Sequence, residues 1–261
     1  MHSTSDASAP PSRELLLLEL RAVWELGAFF ALYPLLRSAP RGDGHPVLVL
    51  PGLAASDTST RPLRAFLKDR GYSAHGWALG PNHGPRPGVE AKMQERLAAL
   101  FHRHRRKLSL IGWSLGGVFA REMARKAPEQ VRSVITLGSP FAGAPRASNA
   151  WKLYERVSQR KADDWERRET MRRPPPVPAT AIYSRSDGIV AWQGCLEQEG
   201  PESENIEVEG SHCGLGHNPA VLFAIADRLA QAEGQWRHFD RSGVRGFIYR
   251  DPRRPPMEAN V

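Results

Sequence analysis

An α/β fold with a mostly parallel sheet of about six strands and helices on both faces is predicted by three features of this sequence. Between residues 45 and 232, short β-rich runs alternate with longer helical runs, the order expected when each strand is followed by a crossover helix. The strand candidates read as continuous apolar stretches such as VLVL and LSLI, as do strands covered on both faces. The 23 glycines and 22 prolines sit mostly between these runs, punctuating structure in a chain of 261 residues, long enough to bury a sizeable core.

The elements follow in order. Residues 45–52 (HPVLVLPG) form a strand closed by a turn. Residues 59–71 form an amphipathic helix with Ser59 as N-cap and Gly71 as its stop. A second strand (73–80), a helix (88–107) and a third strand (108–114) follow. Next come a helix over 115–128 ended by Pro128, a fourth strand (131–140), a fifth (180–188), a sixth (205–212) and a closing helix (218–231). Residues 144–178 break this rhythm. They are charged, helix-compatible and end in a proline run, and they leave the sheet after the fourth strand, on the edge where α/β proteins bind ligands. This interval reads as a helical lid. Residues 233–261 read as a tail with one β-like run, Gly246 to Tyr249, that frays beyond it. The expected organisation is an N-terminal helix and linker (1–44), a core with its lid (45–232) and a C-terminal tail.

The N-terminal stretch SRELLLLELRAVWELGAFFALYPLLR reads as a helix capped near Ser12 with a wide apolar side, Glu14, Arg21 and Glu25 falling on one narrow face at 100° per residue. The first twelve residues carry Asp6 and no Lys or Arg, unlike a signal peptide. Glu19, Arg21 and Glu25 interrupt the run and Pro34 shortens it, so a membrane-spanning helix is not expected. Two readings stand: a helix docked on the domain, or a membrane-surface helix at the substrate entrance.

Composition narrows the function. Hydrophobic residues at 41% and charged residues at 25% are the profile of a soluble globular chain. The net charge of +8 comes without zinc-finger spacing, a ribonucleoprotein-type aromatic motif or a basic heptad region, so no nucleic-acid partner is expected. Two cysteines, Cys195 and Cys213, make neither a disulfide scaffold nor a zinc site. They read as free thiols of a cytoplasmic protein, with a pairing near the site as the alternative. No Asp/His cluster suggests a metal, and no cofactor is implied.

The chemistry is carried by Gly112-Trp113-Ser114-Leu115-Gly116, a GxSxG motif with an apolar strand before it, a helix after it and a third glycine, Gly117, behind it. The serine of such a motif sits on a tight, strained strand-to-helix turn, and the flanking glycines remove side chains that would collide there. On these residues the chain resembles the α/β-hydrolase superfamily, in particular small bacterial lipases and esterases, with a fainter similarity to the lipase-like domain of GPI-inositol deacylases. The resemblance covers residues 45–232.

It implies a serine hydrolase acting on a carboxylic ester, with Ser114 as nucleophile. The superfamily's chain order then assigns Asp187, in a strand-end Asp-Gly turn, as the acid and His212 as the base. Asp163 and Asp164 in the lid are weaker acids by position. His217 reads as a cap or supporting group, and His83, ahead of the nucleophile in the chain, as a loop residue at the pocket. The oxyanion donors would be the backbone N–H groups of Leu115 and of Leu53 in Leu50-Pro51-Gly52-Leu53, where Pro51 replaces the histidine common in similar lipases. Trp113, Phe141, Trp192 and Leu215 are the apolar residues expected near the pocket rim, fitting an apolar ester substrate. An acyltransferase on the same triad and a non-catalytic binding protein are the alternatives. Oligomeric state is not readable.

Overall fold

The computed structural model describes residues 9–144, 146–159 and 171–251. Six strands form one all-parallel sheet in the order β2-β1-β3-β4-β5-β6: β1 Pro46–Leu50, β2 Ser73–Gly76, β3 Leu108–Trp113, β4 Val131–Leu137, β5 Ala179–Tyr183 and β6 Ser203–Glu207. The helices are α1 Arg13–Leu18, α2 Ala22–Leu36, α3 Arg61–Asp69, α4 Val89–His104, α5 Leu115–Lys126, α6 Trp151–Ser158, α7 Pro219–Leu229 and α8 Arg245–Ile248.

Alternation along the strands divides the core in two. Val47 and Val49 of β1 face α2, α3 and α7, packing with Phe29, Phe66 and Leu222. Leu48 and Leu50 face α4 and α5, packing with Leu97 and Phe119. Every residue of β1, β3, β5 and β6 is buried; in β1, β3 and β5 this accompanies a largely apolar sequence, whereas β6 reads SENIE. Because all six strands run the same way, their C-terminal ends share one edge, and the loops leaving that edge build the site.

Some local expectations change. Thr60, not Ser59, holds the N-cap position of α3. Neither caps it with a side chain, because the Thr60 hydroxyl donates to the Asp57 carbonyl. Gly71, at φ +95°, stands just beyond the C-cap of α3. Pro34 does not end α2, which continues to Leu36. Of the run Gly246 to Tyr249, read as β-like, the first three residues lie in the short helix α8, and Tyr249 beyond it packs on Phe239 and donates to the Ala220 carbonyl. The fraying expected past this point falls on residues 252–261, outside the described residues.

The lid interval is described in two limbs. Its first limb bridges Ser148 to Val190 and carries α6, and Arg86 donates from the loop after β2 to the Val157 carbonyl. Its second limb is held where Arg121 of α5 donates to the carbonyls of Met171 and Arg173. Residues 160–170, with Asp163 and Asp164, lie outside the described residues.

The N-terminal segment is a helix broken by one 3-10 turn over Glu19–Arg21, and the Ser12 hydroxyl caps it by accepting from Leu15 N–H. It is docked on the domain: Phe29 and Leu36 enter the core beside α7. No helix among the described residues is long and apolar enough to cross a membrane.

Candidate active site

Ser114 stands between β3 and α5 at φ 53° and ψ −122°, outside the regions an L-residue prefers. Its N–H donates to the Leu137 carbonyl at 2.8 Å, which ties the turn to the neighbouring strand end. The strained turn is feasible because its glycines carry no side chain into the atoms packed against them. A Cβ on Gly112 would come within 2.3 Å of Gly116 and Gly117, and one on Gly116 within 2.4 Å of the Leu50 carbonyl oxygen. The motif's glycines are therefore required by close approach. Gly117 is bound in the same way: its Cβ would lie 2.0 Å from the Ser139 hydroxyl oxygen.

The loop after β1 lies against the serine. The Cβ position of Gly52 falls 3.3 Å from Ser114 Cβ and 3.9 Å from its Oγ. Leu53 and Leu115 are half-buried beside it, and among the described residues neither backbone N–H donates a hydrogen bond within the protein. Asn82 holds this loop, donating through its side-chain amide to the Pro51 carbonyl at 2.8 Å.

Asp187 and His212 meet across the ends of β5 and β6. His212 Nδ1 and Asp187 Oδ2 are 2.6 Å apart and both side chains are buried. The other Asp187 oxygen accepts from the N–H groups of Ile189 and Val190 at 2.8 and 2.7 Å, so the carboxylate cannot rotate away. Burial alone would push the His212 imidazole toward neutrality. The Asp187 charge and hydrogen bond, with a contribution from Glu19, outweigh burial and raise its pKa above the ordinary histidine value. Gly138, at φ +53° past β4, leaves room for this pair: a Cβ there would lie 3.1 Å from His212 Nδ1 and 3.2 Å from Asp187 Oδ2. Ser114 Oγ makes no hydrogen bond among the described residues.

The other residues singled out in the sequence fall as follows. Trp113 is buried, lies against Gly216 and donates its indole N–H to the His212 carbonyl at 3.0 Å, steadying the base loop. Leu215 is fully buried beside Gly138. Phe141 is a core residue: the Arg121 guanidinium sits 3.7 Å above its ring, and Met171 and Ala181 complete the cluster. Trp192 stacks on Tyr183 with Arg185 on its ring. His217 contacts the Ala22 carbonyl, and His83 is exposed. Cys195 is buried, Cys213 is exposed, and no disulfide joins them.

Sequence reasoning missed the strap over this site. Glu19 accepts three backbone N–H groups: Gly188 at 2.8 Å and His212 at 2.9 Å on Oε1, and Cys213 at 2.9 Å on Oε2. One carboxylate of the N-terminal segment thus holds both the Asp187 loop and the His212 loop. Burial would raise its pKa, but these three N–H groups lower it on balance, keeping the carboxylate charged. Glu25 accepts from the N–H and hydroxyl of Ser211, and Arg21 donates to the carbonyl and hydroxyl of Ser186. The available signal was three charged residues embedded in an otherwise apolar run.

The chain has the α/β-hydrolase fold, in the form found in lipases and esterases. The sequence model of the palmitoyl protein thioesterase family matches residues 46–175, just under half of the chain. A pimeloyl-[acyl-carrier protein] methyl ester esterase of Shewanella woodyi is 29% identical over 110 residues, 42% of each chain. Its counterpart in Shewanella sp. is 28% identical over 118 residues, 45% of this chain and 44% of that protein. The chain thus matches less than half the length of these curated relatives. Among solved structures, Bacillus licheniformis lipase BlEst2 superposes with a TM-score of 0.56 at 16% identity, over 74% of this chain and 95% of the lipase. Aspergillus fumigatus lipase B gives 0.55 at 18% identity, over 75% of this chain and 55% of the lipase.

Proposed function

We propose that this protein is a serine hydrolase that cleaves carboxylic acyl esters through an acyl-enzyme on Ser114. The observation that carries the reading is the juxtaposition on one sheet edge of a serine at φ 53° and a buried imidazole whose Nδ1 is engaged by Asp187 at 2.6 Å. With Nδ1 occupied, Nε2 is the nitrogen left to take the Ser114 proton as Oγ attacks the ester carbonyl. Such contacts are often long before substrate binds and tighten in the complex. The N–H groups of Leu53 and Leu115 hold the oxyanion of the tetrahedral intermediate. Each such donor typically contributes about 3 kcal/mol to the transition state. Imidazolium then protonates the departing alcohol, and the same base activates water to release the acid. The relatives named for methyl ester esterase activity and the thioesterase family match favour an acyl group as the moiety retained on the serine. The strained serine and the locked acid–base pair argue for a catalyst over a binding protein.

The test is hydrolysis of a nitrophenyl ester series of increasing acyl length, with fluorophosphonate labelling as a second readout. Turnover and labelling that both disappear in Ser114→Ala support the reading. A wild-type protein that turns over no chain length and takes no label overturns it.

A further inference from the structure

The N-terminal helices are inverted in polarity relative to an ordinary surface helix, which shows its charges to water. In α1–α2 the charged side chains at 19, 21 and 25 point into the protein and are consumed by the acid and base loops. Among the described residues the opposite face is apolar and uncovered. Leu17, Leu20, Val23, Trp24, Phe30 and Leu35 are all exposed, Leu20 at 76% and Trp24 at 81%. Their spacing follows the helical repeat, so they form one continuous stripe, and a Cβ on Gly27 within it would meet nothing within 4 Å. A contiguous apolar face of this kind on a folded domain marks an interaction surface.

We propose that this stripe docks the protein on the surface of an anionic phospholipid bilayer, with the helix lying in the interface plane. Charge selects this occupant. Exposed Arg13, with exposed Glu14 beside it, and exposed Arg37 stand at the two ends of the stripe, and the chain carries a net charge of +8. In a twofold pairing of two copies through this face, either helix direction brings these end cations toward cations of the other copy. An anionic headgroup layer meets both ends favourably while the acyl region receives the Leu, Trp and Phe side chains. The strapped loops lie on the opposite side of the same helix, about one helix diameter (~10 Å) from the docked surface, so apolar molecules leaving the bilayer would arrive beside the site. The docking is independent of the hydrolase reading, because binding is read without turnover.

The experiment is flotation of the full chain with phosphatidylcholine vesicles and with vesicles of phosphatidylcholine and phosphatidylglycerol. Sedimentation velocity is run without lipid. The variant Leu20→Ser/Trp24→Ser changes two exposed side chains outside the acid–base machinery, and circular dichroism with the melting temperature checks that it folds. Expected are a monomer in solution, flotation with the anionic vesicles that weakens at high salt, and roughly tenfold or greater loss of partition in the variant. Absence of flotation overturns the proposal, as does flotation unchanged by the two substitutions. A stable dimer that these substitutions dissociate also overturns it, in favour of a second copy as occupant.

Discussion

The backbone N–H of His212 donates to the carboxylate of Glu19 at 2.9 Å, across 193 positions of chain. The same carboxylate oxygen accepts from Gly188, directly after Asp187. The two loops that carry Asp187 and His212 are therefore referenced to one point on the N-terminal segment. Glu19→Gln replaces an oxygen that accepts N–H groups with an amide whose own N–H faces them. The expected outcome is a fall in kcat/KM of ~10–100-fold through a misplaced imidazole. The acid limb of the pH profile should also move to lower pH, because Glu19 contributes to the raised His212 pKa. Glu19→Asp should recover part of the limb position. A variant with wild-type kcat/KM and an unmoved limb would refute this positioning role.

The His212 pKa also predicts the wild-type profile. The imidazole must be neutral to accept the Ser114 proton, and its folded pKa is raised above 6.5 by the Asp187 pair, Glu19 assisting against burial. Esterase kcat/KM should therefore rise with pH through a midpoint above 6.5, and Asp187→Asn should lower both the midpoint and the plateau. Initial rates with a soluble ester between pH 5 and 9, a range chosen around the ordinary histidine value of about 6.5, read this directly.

Much of the fold was legible because it rests on local patterns. Buried strands gave apolar runs, and the elbow declared itself through Gly112, Gly116 and Gly117, each of which faces a backbone or side-chain atom closer than a Cβ allows. The order of Ser114, Asp187 and His212 could also be read along the chain. What escaped depends on distant contacts. Nothing local to Glu19 announces that it meets the loops at 188 and 212. Nor does the chain near Phe141 and Trp192, expected near the pocket rim, announce that the Arg121 guanidinium sits on the Phe141 ring and that Trp192 stacks on Tyr183. The Gly246–Tyr249 run has strand-like residues, yet among the described residues it joins no sheet and Arg245–Ile248 form a helical turn.

Gly138 should tolerate no side chain. Its φ of +53° costs an L-residue about 1–2 kcal/mol, and a Cβ there would sit 2.8 Å from Leu215 Cδ1 and within 3.2 Å of both members of the acid–base pair. Gly138→Ala is expected to lower stability by ~1–3 kcal/mol and to depress kcat far more than that loss explains, since the displaced groups are Asp187 and His212. Denaturant melts and steady-state kinetics on the same preparation separate the two effects.

A hydrogen-bonded Ser109–His45–Asp43 chain at the opposite edge of the sheet supports a prediction about stability. His45 Nδ1 lies 2.5 Å from Asp43 and its Nε2 3.0 Å from the Ser109 hydroxyl, which contacts Ser133 at 2.9 Å. His45 and Ser109 are fully buried, so the chain is closed to substrate. Burial pushes the His45 pKa down to about 4, with Arg132 and Arg106 assisting and Asp43 opposing. A histidine whose folded pKa is depressed stabilises the fold fully above its unfolded value of about 6.5, and that stability is lost as pH falls toward 4. The loss should reach roughly 2–3 kcal/mol. Denaturant melts at pH 7 and pH 4.5 measure it. Because His75 is also pushed down to about 4, His45→Gln should make the pH dependence shallower without abolishing it.

Arg121 holds the exit of the lid interval, and its removal should be among the most damaging single changes outside the candidate site. Its guanidinium pairs with Glu197, both side chains 1% exposed, and donates to the carbonyls of Met171 and Arg173. Arg121→Met leaves a buried carboxylate without its cation and leaves Arg125 as the donor to the Met171 and Arg173 carbonyls, a loss of ~3–5 kcal/mol by the usual cost of breaking a buried pair. Adding Glu197→Gln removes the stranded charge and should restore part of that loss, while the Met171 and Arg173 carbonyls keep only their bonds from Arg125. The two variants separate the ion pair from the anchoring: if anchoring matters, the double variant recovers stability against denaturant while remaining more sensitive than wild type to limited proteolysis near residues 171–173. Equal protease resistance in the double variant and the wild type would mean that Arg121 supports the core and not the lid.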